Sequence, residues 1–132
     1  MKLISKSIFA LLTFGFLSSC DISDDKNFCS YSAGVGTTAV TGPETAAIDE
    51  EISFTVSFSV DSTCGSFLQF HQVESGNEIT ITVNAEYKGC NCDTTVTART
   101  ATYKFKALRA GVYKLIFKKT NTESITKTIT VE

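Results

Sequence analysis

Five cysteines, one histidine and fourteen carboxylates make up the reactive inventory of this 132-residue chain. The cysteines are Cys20, Cys29, Cys64, Cys90 and Cys92. Cys20 closes an apolar run and stands apart from the rest. The other four form an even set that can oxidise in pairs to two disulfides or, as thiolates, hold zinc or copper. A one-residue spacing such as Cys90–Cys92 is less usual for structural zinc, and an oxidising compartment favours bridges. The expectation is two disulfides and no metal. A bridge between Cys90 and Cys92 closes a very tight ring with side chains poorly placed for disulfide geometry. Cys64 is therefore expected to pair with one of them and Cys29 with the other.

The remaining chemistry is sparse. Any Ser-His-Asp triad must use His71, and no serine stands on a Gly-x-Ser-x-Gly elbow. Asp49-Glu50-Glu51 is the densest acidic run, and before a strand such a run is ordinarily a solvated turn. No glycine-rich segment leads from a strand into a helix to cradle phosphate. The expectation is a protein that is not an enzyme, with no catalytic residues and no cofactor. Lys+Arg 12 against Asp+Glu 14 also gives no basic footprint for nucleic acid. The chain is too hydrophobic, at 42%, and too mixed in charge to be disordered.

The elements that position these groups begin with an address. Residues 1–20 read MKLISKSIFALLTFGFLSSC, with Lys2 and Lys6 ahead of a largely apolar run of ten residues, Ile8 to Leu17. A bilayer span needs about 20 residues, so this run reads as a removable signal segment, residues 1–19. Leu17-Ser18-Ser19-Cys20 resembles a bacterial lipobox, which implies cleavage before Cys20 and lipid, palmitate included, on its thiol and new amine. Burial of long acyl chains would then hold the protein at a membrane. Asp21-Ile22-Ser23-Asp24-Asp25 is similar to the Ser-Asp-Asp export signal of Bacteroidota surface lipoproteins. The resemblance implies an outer-membrane lipoprotein exposed at the cell envelope; a plain acidic tether is the alternative.

Residues 20–36 are polar and small and read as the lipidated Cys20 with a flexible tether. From Thr37 the hydrophobic period becomes two. Ile52, Phe54, Val56, Phe58 and Val60 alternate with Ser and Thr, and Ile79, Ile81, Val83, Ala85 and Tyr87 repeat the pattern. Ala101-x-Tyr103-x-Phe105, Tyr113-x-Leu115-x-Phe117 and the stretch 125–131 continue it, with less regular strands at 37–41 and 66–73. Seven short strands over 37–132, with no helical stripe, predict an all-β Greek-key sandwich. Ala110-Gly111-Val112-Tyr113-Lys114-Leu115 resembles the turn and tyrosine that open the sixth strand of immunoglobulin-like domains, where the hydroxyl bonds back to the turn. Val56 and Leu115 stand where antibody domains place their inter-sheet cysteines, and no tryptophan is present. The expectation is thus an immunoglobulin-like or fibronectin-III-like β-sandwich, with a small open barrel as the alternative. Taken together, the chain resembles small Bacteroidota-type lipoproteins with a single immunoglobulin-like domain.

In that fold the strands at 66–73 and 111–118 are neighbours. With Leu68 and Phe70 inward, Phe67, His71, Val112 and Ile116 form an exposed apolar strip, the candidate binding surface. Alternate register of the 66–73 strand would bury it. Antiparallel succession also gathers Cys29, Cys64, Cys90 and Cys92 at one end of the sandwich. Asp61-Ser62-Thr63 and Asp93-Thr94-Thr95 at that end resemble the Asp-Ser/Thr-x acceptor of exported Bacteroidota proteins, making Ser62 and Thr94 O-glycosylation candidates. The functional expectation is a membrane-anchored, non-catalytic binding or adhesion module for a protein or glycan ligand. Alternatives are a protease-inhibitor-like or structural accessory domain working through disulfide-stiffened loops, or metal or redox work at Cys64, Cys90 and Cys92.

Overall fold

Alternation of apolar with hydroxyl side chains dictates the architecture. A strand turns successive side chains to opposite faces, so each Ser/Thr-rich alternating run presents one face to water and one to a core. The computed structural model describes residues 29–132. The expected signal segment, the expected lipidation site Cys20 and the Ser-Asp-Asp run lie outside the described residues.

Among the described residues nine strands form: β1 (Ser30–Val35), β2 (Thr37–Thr41), β3 (Thr45–Ala46), β4 (Glu51–Val60), β5 (Gly65–Ser75), β6 (Glu78–Lys88), β7 (Thr97–Lys106), β8 (Gly111–Lys118) and β9 (Ser124–Val131). They build two sheets, β2-β4-β7 and a six-stranded sheet in which β5, β6, β8, β9 and β3 lie in order. The fold is an all-β sandwich. β4 and β6 show the cleanest alternation, with Ile52, Phe54, Val56, Phe58 and Val60 facing Ile79, Ile81, Val83, Ala85 and Tyr87 across the core. Aromatic rings tie the layers together. Phe58, Phe67, Phe70, Tyr103, Phe117 and Phe54 follow one another at centroid separations of 4.7 to 6.5 Å. Val56 and Leu115 are fully buried, so apolar packing occupies the place of an inter-sheet disulfide.

The three-stranded sheet, the parallel β3–β9 pair and the β8–β9 hairpin keep an immunoglobulin-like order. The larger sheet departs from it. β6, not β5, lies beside β8, and the pair is parallel, with Ile79 opposite Leu115 and Ile81 opposite Phe117. β5 is displaced to the sheet edge, paired to β6 through the two-residue turn Gly76-Asn77, where Gly76 adopts φ 59°. A left-handed turn of this kind favours glycine.

A second departure concerns residues 30–35, read above as tether. They form β1, antiparallel to β6 with Tyr31 opposite Tyr87 and Val35 opposite Val83. The run carries only small side chains beyond Tyr31 and Val35, so it lacks the alternation that marks a strand in sequence. It is a strand because β6 offers an open edge beyond the end of β8 and because Cys29 pins its start. Tyr31 stacks on Tyr87 at 4.6 Å and covers it.

Candidate functional site

The four described cysteines meet at one end of the sandwich, where β4 runs into β5 and β6 runs into β7. Cys29 is bonded to Cys90 and Cys64 to Cys92. The pairing follows the rule that Cys90 and Cys92 cannot bond to each other, and it takes all four sulfurs into bridges. Around them the loops are held by further polar contacts. Thr63 N donates to the Asp93 carbonyl at 3.0 Å, and Asp93 N donates to Thr63 Oγ1 at 3.2 Å. Arg99 reaches across from β7, its Nε donating to the Gly65 carbonyl and its Nη2 to that of Thr63. The two Asp-Ser/Thr-x triplets therefore adjoin: Thr94 is exposed and Ser62 half-buried.

The expected strip is not continuous. A β-bulge between Phe67 and Gln69 makes Leu68 the extra residue, so Phe67 and Phe70 both turn toward the core. Phe67 is half-buried, 6.2 Å from Phe58 and 4.7 Å from Phe70, and belongs to the core margin rather than to the surface. Single-residue alternation placed Leu68 inside; the bulge reverses it. His71 is exposed and lies opposite Thr82 on β6. β6 thus separates His71 from β8. Val112 and Ile116 do face outward, and Ile116 continues a row across four strands: Val73, Thr80, Ile116, Thr126.

Reasoning from strands alone missed the loops at the end away from the disulfides. There Asp49 N donates to the Ala107 carbonyl at 2.8 Å and Ile48 N to the Glu132 carbonyl at 3.1 Å, bringing residues 47–50, 107–110 and the end of β9 together. Ile48 at 49%, Leu108 at 71% and Val112 at 54% exposure stand at this end. Apolar residues inside turn segments otherwise rich in Asp, Glu, Arg and Ala were the available signal. Polar side chains frame them. Lys106 pairs with Asp49 at 3.1 Å, and Asn77 Nδ2 donates to the Val112 carbonyl at 3.1 Å. Nearby on β4 and β7, Lys104 bonds Glu51 at 2.8 Å, which holds the Glu51 carboxyl below and the Lys104 ammonium above their ordinary values.

Among the described residues no carboxylate or hydroxyl is hydrogen-bonded to His71, and no three His, Cys, Asp or Glu side chains gather as a metal-ligand set. The sequence from residue 54 to 131 matches the ORF11 β-sandwich domain family. The chain belongs to that family. The match runs from within β4 through β9, so the ORF11 β-sandwich includes Cys64, Cys90 and Cys92, whereas β1, β2, β3 and Cys29 precede it. No curated protein and no solved structure matches the chain.

Proposed function

We propose that this chain is a lipoprotein of the bacterial envelope, held at a membrane by lipid on Cys20, whose ORF11 β-sandwich is a non-catalytic binding or adhesion module for a protein or glycan. The observation that carries the reading is the Cys29–Cys90 bond. Nine residues beyond Cys20 the chain is fastened to the disulfide end, a leash of at most about 30 Å when fully extended. So short a leash favours an orientation with the disulfide end toward the membrane and the opposite end outward. That outward end carries Ile48, Leu108 and Val112, and exposed apolar groups rimmed by polar ones mark interaction sites. The resemblance of residues 1–20 to a lipoprotein signal and of Ser23-Asp24-Asp25 to a surface-export signal supports an outer-membrane location with display on the cell surface. O-linked sugar on Ser62 or Thr94 would then sit on the membrane-facing end.

Fractionation and binding test this together. Cys20→Ser should move the protein from the membrane to the soluble fraction; retention in the membrane overturns the anchor. Ile48→Asp combined with Leu108→Asp should reduce adhesion of cells displaying the full chain to envelope or host surfaces, with the melting temperature unchanged. Undiminished adhesion overturns the assignment of the outward end.

The bridge from Cys64 to Cys92 and the Arg99 contacts favour a second reading, an inhibitor-like or structural accessory domain that presents residues 61–64 and 89–96 as pre-organised loops. Loss of binding on substitution of exposed Thr94 and Val96, with none at Ile48 and Leu108, would select it.

A further inference from the structure

The edge of β6 is shared by two strands whose ends converge. β8 runs alongside β6 as far as Phe117 opposite Ile81, and β1 occupies the same edge from Val35 opposite Val83. Between the two strand ends the outer face opens into a cleft of about 260 Å³. Thr82 stands in it, flanked by Gly34 on one side and by Lys118, Lys119, Thr120 and Asn121 on the other.

The cleft is lined by two cations. The described residues hold nine lysines and arginines. Lys88, Lys104, Lys106 and Lys114 pair with Glu86, Glu51, Asp49 and Glu78, and Arg99 is spent on backbone carbonyls. Among the described residues the other four, Arg109, Lys118, Lys119 and Lys127, have no carboxylate partner, and of these Lys118 and Lys119 share one cleft. No Asp or Glu lines the cleft. Two cations lining one cleft that holds no acidic residue give it a positive potential, which favours an anionic ligand.

The loop that carries these groups is fixed in advance. Lys119 N and Thr120 N both donate to the Glu123 carbonyl, and Thr120 Oγ1 accepts from Thr122 N and Glu123 N. On the other side Gly36 is locked against the loop, since a Cβ there would collide with the Lys119 carbonyl oxygen. Gly34, by contrast, leaves space: a Cβ would meet only Thr82 Cγ2 at 3.6 Å and Asn84 Oδ1 at 3.7 Å, ordinary contacts. The missing side chain keeps the cleft open.

We propose that this cleft binds a carboxylated sugar unit, a hexuronic acid at the end of a glycan. Its carboxylate lies between the Lys118 and Lys119 ammonium groups, and its ring hydroxyls exchange hydrogen bonds with the Thr82 hydroxyl and the Asn121 amide. The cations select an anion. The neutral donor-acceptor groups and a volume that admits about one ring select a sugar over a bare inorganic ion. The site is independent of the lipid anchor and of the apolar end.

The test uses the full chain in detergent, titrated with glucuronate, glucose and inorganic phosphate and followed by calorimetry. Glucuronate should bind, and glucose should bind at least about tenfold more weakly, a difference of about 1.4 kcal/mol. Lys118→Glu with Lys119→Glu should weaken glucuronate by at least the same factor, as should Gly34→Leu, which fills the cleft and leaves the melting temperature unchanged. If phosphate binds as tightly as glucuronate, or if Gly34→Leu leaves glucuronate binding intact, the lysines are only an anion-attracting patch and the sugar site is overturned. Absence of glucuronate binding to the unmodified chain overturns it outright.

Discussion

The hydroxyl of Tyr113 donates a 3.0 Å hydrogen bond to the carbonyl of Arg109, four residues upstream. It closes the turn that leads from β7 into β8 while the ring packs edge-on against Phe105 at 5.4 Å. One side chain thereby fixes both the crossover between sheets and the loop that displays Leu108. Tyr113→Phe keeps the ring and removes the bond, so it should lower stability by about 1 kcal/mol, with the fold retained. Urea unfolding checks the number. Amide exchange at residues 108–111 should accelerate more than exchange in the core of β6.

The two bridges constrain loops of different length. Cys64 and Cys92 are 28 residues apart and Cys29 and Cys90 are 61 apart. Loop-closure entropy makes each worth about 3 to 4 kcal/mol in the unfolded chain. The folded consequences differ more. Replacing Cys29 and Cys90 by Ser should loosen β1 and expose Tyr87 while β4–β9 stay folded. Replacing Cys64 and Cys92 should destabilise the entire sandwich, because both loops join strands of its core. Thermal unfolding of the two double variants, with exchange in β1 as the local probe, separates them.

Phe67 and Val112 were expected to share one surface and do not. Phe67 lies against Phe58 and Phe70, so Phe67→Ala should cost about 2 kcal/mol of stability through lost packing and the cavity left behind. Val112 is exposed, and Val112→Ala should shift stability by less than about 0.5 kcal/mol. Equal effects at the two positions would contradict the inward turn of the bulge.

What was legible in the sequence was whatever rests on strict period. The β4 and β6 cores, the inward Tyr103 and Phe105, and the corner at Tyr113 all follow from single residues and their neighbours. The gathering of the four cysteines at one end followed from the reversals between strands, and the exclusion of a Cys90–Cys92 bridge from its ring size, whereas the choice of Cys92 for Cys64 and Cys90 for Cys29 did not. Three features depend on long-range events that leave little local trace. The bulge at Leu68 costs one residue and inverts a face. The placing of β6 beside β8 exchanges the two strands of one hairpin. The strand β1 arises from an edge that β8 leaves vacant, not from its own alternation. The two candidate surfaces share this origin, for the loops at Ile48 and Leu108 and the cleft at Thr82 are made where separate segments end.

Gly36 tests the meeting of β1 with the loop after β8. The backbone of Lys119 is so near that a methyl group cannot be accommodated without movement of the main chain. Gly36→Ala should therefore destabilise by about 1 to 3 kcal/mol, as overpacking does. It should also disturb Lys118 and Lys119, whereas Gly34→Ala, with room for its methyl, should do neither. Backbone chemical shifts at Lys119 in the two variants distinguish a local collision from a general loss of stability.

Tyr103 gives the fold a dependence on alkaline pH. Its ring is buried against Phe70 and Phe117, and its hydroxyl donates to Gln72 Oε1 at 2.9 Å. Burial, with a smaller contribution from the nearby Glu74 carboxylate, pushes its pKa up to about 12. In the unfolded chain a tyrosine loses its proton near about 10. The folded state thus holds this proton more tightly, and the contribution to stability is complete below pH 10. It is lost as pH rises from about 10 through about 12, because the unfolded state is then favoured by ionisation. Tyr103→Phe should lower stability at pH 7 by about 1 kcal/mol, through the lost hydrogen bond, and should flatten the decline between pH 10 and 12. Denaturant midpoints of the two proteins measured across that range should converge as pH rises. Parallel curves would mean that the phenol ionises freely in the folded protein.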